Sequence, residues 1–127
     1  MPDAPEFKPR KIKFKAWDID SRLLLKLDSI DCNKGELLKK NHILLQFTGI
    51  TDKNGDEIYE MDVLIVSDQK YVVFWNEEKG GWYYYALKDP ADIQLFLGSA
   101  AGKMMRLGNL FELNAKPFTE EKRRRYR

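Results

Sequence analysis

Residues 46–63, Gln-Phe-Thr-Gly-Ile-Thr-Asp-Lys-Asn-Gly-Asp-Glu-Ile-Tyr-Glu-Met-Asp-Val, constrain the fold more than any other stretch of this chain. The run reads as a strand, a tight turn and the start of a second strand. Asp52-Lys53-Asn54-Gly55 is the strongest turn signal in the sequence, because Asn and Gly tolerate the positive φ that a hairpin turn requires. Beyond it, Ile58 to Val66 alternates, with Tyr59, Met61, Val63 and Ile65 on one side and Glu60, Asp62 and Leu64 on the other. Asp62 sits between apolar residues. An Asp in that setting bonds the backbone of a neighbouring loop and fixes a corner of the sheet.

Strand signals continue on both sides. Lys11 to Trp17 alternates strictly, with Ile12, Phe14 and Ala16 on one face and Lys11, Lys13, Lys15 and Trp17 on the other. Leu23 to Leu27 is too short for periodicity to separate strand from helix, and residues 28–41 are polar with a turn at Asn33-Lys34-Gly35. After the hairpin, Tyr71–Trp75 and Trp82–Leu87 are separated by turn residues and extend a meander. Asp89-Pro90 is expected to break the sheet, Ala91–Leu97 to make a helical turn or two, and Gly98–Gly102 to form a loop. Lys103–Leu113 reads as a final strand pair, and Thr119-Glu120-Glu121 as the start of a short helix. The expected architecture is mainly β with minor α. It is a small, partly open barrel of SH3-like character from about residue 43, an N-terminal strand-rich segment and short helices.

The length of 127 residues fits one domain spanning 1–127, with a Pro-rich arm at 1–9 and a basic tail at 119–127. No apolar run nears the ~20 residues of a membrane span, and no signal peptide is visible, so the expected location is the cytoplasm of a host cell. Cys32 is the only cysteine and His42 the only histidine, which excludes an intrachain disulfide and a Cys/His zinc site. The net charge of +2 is unevenly placed. Residues 1–15 hold five basic against two acidic side chains, residues 120–127 again five against two, and the body between them is net −4. Two basic ends therefore flank a mildly acidic body, a pattern that suits a polyanion or a contact between chains.

Three blocks together resemble one family. They are Lys13-Phe14-Lys15-Ala16-Trp17-Asp18, then Gln46 to Val63, then Leu107-Gly108-Asn109-Leu110-Phe111-Glu112. In this order they are similar to the YopX family of bacteriophage and prophage proteins. That family usually has Gly where Met61 stands, so ordinary strand geometry is expected there. It usually continues into Asn-Pro where this chain has Leu113-Asn114. The resemblance implies a small, mostly β protein of a phage or mobile element without an agreed biochemical function, and brings no catalytic residues.

Candidate sites are weighed against ordinary structural roles. Asp52-x-Asn54-x-Asp56 lacks the rest of a calcium loop, since Glu57 stands at the Gly position and Val63 at the Glu position. Asp52, Asn54, Gly55 and Asp62 are therefore read as turn-forming residues, and no metal or cofactor is expected. Cys32 and His42 assemble no nucleophile–base pair by spacing, and no phosphate-binding loop is present. Trp75, Trp82 and Tyr84 are the candidate interface of a homo-oligomer. Lys11, Lys13, Lys15, Arg123, Arg124, Arg125 and Arg127 are the candidate nucleic-acid contacts. The favoured reading is a non-catalytic binding or assembly module. The alternative is a nucleic-acid-binding accessory protein, and a small enzyme ranks last.

Overall fold

The computed structural model describes residues 4–115. The protein is mainly β, with a curled half-barrel sheet and two short helices. Residues 4–13 carry no regular secondary structure. Strands β1 (Phe14–Asp18), β2 (Leu23–Lys26), β5 (His42–Thr51) and β6 (Glu57–Tyr59) form a four-stranded sheet in the order β2-β1-β5-β6. Strands β7 (Asp62–Val66), β8 (Gln69–Asn76), β9 (Gly81–Ala86), β10 (Asp89–Leu95) and β11 (Met105–Asn109) form a five-stranded sheet in the order β10-β9-β8-β7-β11. A separate hairpin pairs β3 (Asp31–Asn33) with β4 (Glu36–Leu38). Its turn residues Lys34 and Gly35 have φ of 52° and 85°, the double positive φ of a tight hairpin turn.

The two sheets are stitched together at Glu60 and Met61. The Glu60 N–H donates to the Gln46 carbonyl in β5, and the next N–H, of Met61, donates to the Val73 carbonyl in β8. Two consecutive amides thus bond to different sheets. Met61 takes φ +68°, in the left-handed region. This corrects the expectation of ordinary strand geometry: the strand from Ile58 to Val66 is broken here by a turn, because the chain changes sheets. Its side chain packs against the buried cluster of Trp17, Leu45 and Ala115. Within β5 the register shifts between Phe47 and Thr51, and Gly49 sits at φ +85°. Such a bulge bends a strand and helps the sheet curl.

The larger core lies against the other sheet. Ile58, Leu64, Val73, Tyr84, Phe96, Ala101 and Met104 form it, with α1 (Gly98–Ala101) as one wall. Three expectations fail in this region. Residues 91–97 are not helical, because β10 continues past Pro90 as an edge strand with a bulge between Asp89 and Ile93. Pro is tolerated there since an edge strand has a side that needs no ladder bond. The loop expected at Gly98–Gly102 is α1, whose last turn is closed by the Gly102 N–H donating to the Gly98 carbonyl. The expected strand pair at Lys103–Leu113 is one strand followed by helical residues 110–115, and Asn109 starts that helix by accepting the Phe111 N–H at 3.1 Å.

Met61 yields a test with an unusual order. A left-handed φ costs a residue with a Cβ about 1–2 kcal/mol, while the Met side chain contributes apolar burial. Met61→Ala loses the burial and keeps the strain; Met61→Gly loses the burial and releases the strain. In urea unfolding, Met61→Gly is expected to be more stable than Met61→Ala by about 1 kcal/mol, with the unsubstituted chain above both. Ala equal to or above Gly would show that the turn is not strained.

Candidate functional site: a basic cavity at the sheet seam

The turn at Glu60–Met61 brings edge strand β6 of one sheet beside edge strand β11 of the other, and two buried carboxylates hold this seam. Asp62 is fully buried. Its Oδ2 accepts the Tyr59 N–H at 2.7 Å and the Arg106 Nε–H at 2.8 Å. Its Oδ1 accepts Asn109 Nδ2 at 3.1 Å and Arg106 Nη2 at 3.4 Å. Asn109 Nδ2 also donates to the Glu60 carbonyl at 3.0 Å. Asp52, also buried, accepts the N–H groups of Asn54 and Asp56 on Oδ1, both at 2.9 Å, and the Arg106 N–H on Oδ2 at 2.8 Å. Burial works to raise the Asp52 pKa, but the N–H donors of Arg106, Asp56 and Asn54 outweigh it and hold the carboxyl below its ordinary value.

Arg106 is therefore fixed twice, its backbone by Asp52 and its guanidinium by Asp62. It forms one wall of a cavity of about 500 Å³. Lys13, Lys15 and Lys26 from the β1–β2 region line the other side, with Asp56, Glu57 and Tyr59 from the hairpin. Lys15 and Lys26 face each other across the β1–β2 ladder. Lys13 is ion-paired with Glu57 at 2.5 Å, and this hydrogen bond raises its pKa. Its ammonium lies 5.3 Å from the centre of the Phe47 ring, and Phe47 packs on Tyr59 with centroids 5.5 Å apart. The Lys15 ammonium lies 4.4 Å from the Tyr59 ring centre. Among the described residues Lys15 makes no ion pair. Burial lowers its pKa, and the Arg106 charge lowers it further. Burial also raises the Tyr59 phenol, with the Glu57 carboxylate adding to the effect.

The expected site residues fall in different places. Lys13 and Lys15 line the cavity; Lys11 lies ahead of β1 and is exposed. Arg123, Arg124, Arg125 and Arg127, and the helix start at 119–121, lie outside the described residues. The Trp82 and Tyr84 face is the core side of the five-stranded sheet. Tyr84 is only 8% exposed, packs on Phe96 and Tyr71, and donates its hydroxyl to Gln94 Oε1, so it offers no surface to a partner. Trp75, 43% exposed, sits at the rim of that face against Trp82 with ring centroids 5.2 Å apart. Asp52, Gly55 and Asp62 form the seam, and of Asn54 and Gly55 only Gly55 takes positive φ. Cys32 is exposed in β3, while His42 Nδ1 bonds the Lys40 carbonyl and its Nε2 lies 3.7 Å from the Asp18 carboxylate. Lys26 and Arg106 are the residues that sequence reasoning missed. Arg106 carried no local signal, since its partners Asp62 and Asp52 lie 44 and 54 residues away and a bulge between Arg106 and Gly108 breaks the alternation of β11.

A family profile described as "YopX protein" matches residues 5–115. The chain belongs to the YopX family. The blocks that carry the resemblance are β1, then β5 through the start of β7, then the end of β11 with the helix after it. In the fold of this YopX-family chain they converge on the seam, where Trp17 stacks on Phe111 at 5.7 Å and Asp62 meets Arg106 and Asn109. No curated protein matches the chain. A solved structure described as protein EF1440 from Enterococcus faecalis is similar in fold, with a TM-score of 0.56 and 18% identity over 82% of this chain and 96% of that one.

Two measurements probe the seam. Arg106→Ala strands a buried carboxylate and is expected to cost about 3–5 kcal/mol. Asp62→Ala strands the guanidinium, and the double variant should be less damaging than the sum of the two in urea unfolding. Additive costs would mean that the two side chains are not coupled. Asp52 acts through pH. Its folded pKa is depressed, so its contribution is fully present above the unfolded value of about 3.9 and is lost as pH falls through the lower folded value. Asp52→Asn should therefore flatten the acid limb of stability below about pH 4, while lowering stability at neutral pH; an unchanged acid limb would refute this.

Proposed function

We propose that this YopX-family chain is a non-catalytic binding module whose ligand is anionic and engages the cavity at the sheet seam. One observation carries the reading: Lys15, Lys26 and Arg106 converge on one cavity, and of these three only Arg106 makes an ion pair among the described residues. Like charges directly opposite each other in a sheet are destabilising. An arrangement that sets Lys15 against Lys26 and beside Arg106 is relieved by a bound anion. The non-catalytic part rests on how the carboxylates are used. Each oxygen of Asp62 and of Asp52 is taken by at least one N–H donor, which leaves them poor proton shuttles. The phage or mobile-element setting belongs to the same reading and rests on the family resemblance.

Nucleic acid is the partner that extends this reading from the cavity along Lys11 and Lys13. Fluorescence anisotropy of the full chain with short single- and double-stranded DNA and RNA tests it across a salt series. Binding should weaken steeply with salt. Lys11→Ala and Lys15→Ala should each weaken binding and reduce the salt slope by about 1. Glu57→Ala, which frees Lys13 and removes a negative charge from the rim, should tighten it. Salt-independent binding, or none to any probe, would refute a nucleic-acid partner.

A second reading, self-association, is favoured by a separate observation. Edge strand β10 presents Ile93 and Leu95, with Leu97 just beyond and Trp75 at the rim of the same sheet, all exposed. An unpaired apolar edge is a template for pairing with another strand. Light scattering decides this reading: a dimer or larger species that Leu95→Lys converts to monomer supports it, and a monomer at all concentrations ends it.

A further inference from the structure

We propose that the seam cavity is a phosphomonoester site, in which Lys15, Lys26 and Arg106 hold the terminal phosphoryl group of a small organic phosphate or of a nucleic-acid end. This rests on the reading of the chain as an anion-binding module and names the group that is bound. The first argument is directional. Arg106 commits Nε and Nη2 to Asp62, and among the described residues Nη1 takes part in none of its hydrogen bonds. A guanidinium held rigidly along one edge keeps its other N–H donors in a fixed direction, and Arg fits the planar geometry of phosphate recognition. Arg106 has no freedom to turn away, because its own amide is tied to Asp52.

The second argument is charge. Asp62 pairs with Arg106, whereas among the described residues Lys15 and Lys26 make no ion pair, and the Asp62 and Glu112 carboxylates act on Lys15 only beyond ion-pair distance. A phosphomonoester carries about −1.5 to −2 at pH 7 and presents three strong acceptor oxygens. Two ammonium groups and one guanidinium edge match that number of acceptors. A carboxylate or a phosphodiester presents only two free oxygens and leaves one of the three donor groups without an acceptor. Lys13 does not enter the count, because Glu57 neutralises it.

Size and wall chemistry narrow the ligand further. At about 500 Å³ the cavity is far larger than an inorganic anion needs and falls within the range of small-molecule sites. The Tyr59 ring is covered by the Lys15 ammonium and flanked by Phe47, so it offers no open face for stacking a base. Recognition therefore centres on the phosphoryl group. The Asp56 carboxylate, also on the lining, is an acceptor for hydroxyl groups on the rest of the ligand.

The test uses the full chain at constant ionic strength, with calorimetric titration of adenosine monophosphate, adenosine and inorganic phosphate. A short oligonucleotide is compared with and without a 5′-phosphate. Adenosine monophosphate should bind saturably and adenosine should not. Lys15→Ala and Lys26→Ala should each weaken binding about tenfold, the scale of one charge-assisted hydrogen bond. Lys26→Ala, which removes a repulsive charge from an exposed position, should melt no lower than the parent chain, whereas Lys15→Ala also gives up the contact of its ammonium with the Tyr59 ring. Lys88→Ala, on an exposed turn away from the cavity, should leave binding unchanged. Affinity should fall as pH drops through about 6, where the ester takes up its second proton. Preference for the 5′-phosphorylated oligonucleotide over its hydroxyl twin identifies a nucleic-acid end as the source. Binding of the free nucleotide without that preference identifies a small metabolite, and either supports the site. If both oligonucleotides bind alike and neither nucleotide nor phosphate competes, the phosphomonoester site is overturned while the anion-binding reading stands. If no probe binds, both fall.

Discussion

The buried carboxylate of Asp62 is the point on which the two sheets depend. It lies at the start of β7, where the chain has just left one sheet for the other, and each of its oxygens accepts two hydrogen bonds. The donors come from β6, β11 and the residue that starts the final helix. A buried carboxylate is costly unless its charge is balanced and its lone pairs are filled. Asp62 meets both conditions only when Tyr59, Arg106 and Asn109 are all in place, so one side chain enforces agreement among segments 47 residues apart. An apolar residue of similar volume would bury as readily and impose no such agreement.

Arg106 converts that structural demand into a surface property. Had Asp62 been satisfied by backbone amides alone, no cation would be needed at the seam. Because it takes an arginine from an edge strand, the guanidinium is held at the boundary between buried seam and open cavity. The neighbouring cations arrive by a different route. β1 turns Lys15 and Trp17 to one face, and Lys13 precedes it. Trp17 reaches the core with Leu45 and Phe111, whereas Lys15 ends over Tyr59 at the cavity. One strand face thus runs from core to cavity within two residues.

Much of the fold was legible because it is written in local chemistry. The turns at Asn33-Lys34-Gly35 and Asp52–Gly55 and the alternation in β1 depend on neighbouring residues alone. What misled the reading was tertiary. Met61 looks like one more alternating strand residue, and only the change of sheets places it at φ +68°. Residues 91–97 have helical composition, yet β9 offers an edge to pair with, and pairing overrides propensity. Lys103–Leu113 looks extended throughout until Asn109 is seen to cap a helix. At the site, the lysines of β1 could be picked from their pattern. Arg106 could not, because nothing within 44 residues of sequence ties it to Asp62. In the aromatic run, alternation separates the faces but does not say which one the core takes: Tyr84 is buried on the core side, while Trp75 at its rim stays exposed.

The position of the cavity follows from the same logic. Where one sheet continues into another through a two-residue turn, the flanking edge strands cannot complete a ladder with each other, and their polar groups must be satisfied by side chains. Here Asp52, Asp62 and Asn109 supply that satisfaction on the buried side. The open side is left with the long side chains of β1, β2 and β11, whose heads reach water while their stems cover the seam. Lysine and arginine suit that task sterically, but covering a seam does not require Lys15 directly opposite Lys26 with Arg106 beside them. Glu57 pairs directly with Lys13, whereas Lys15 has no ion pair among the described residues and feels the Asp62 and Glu112 carboxylates only beyond that distance. The asymmetry between these two lysines, two residues apart, is what sealing the seam leaves unexplained and what the proposed anionic ligand would account for.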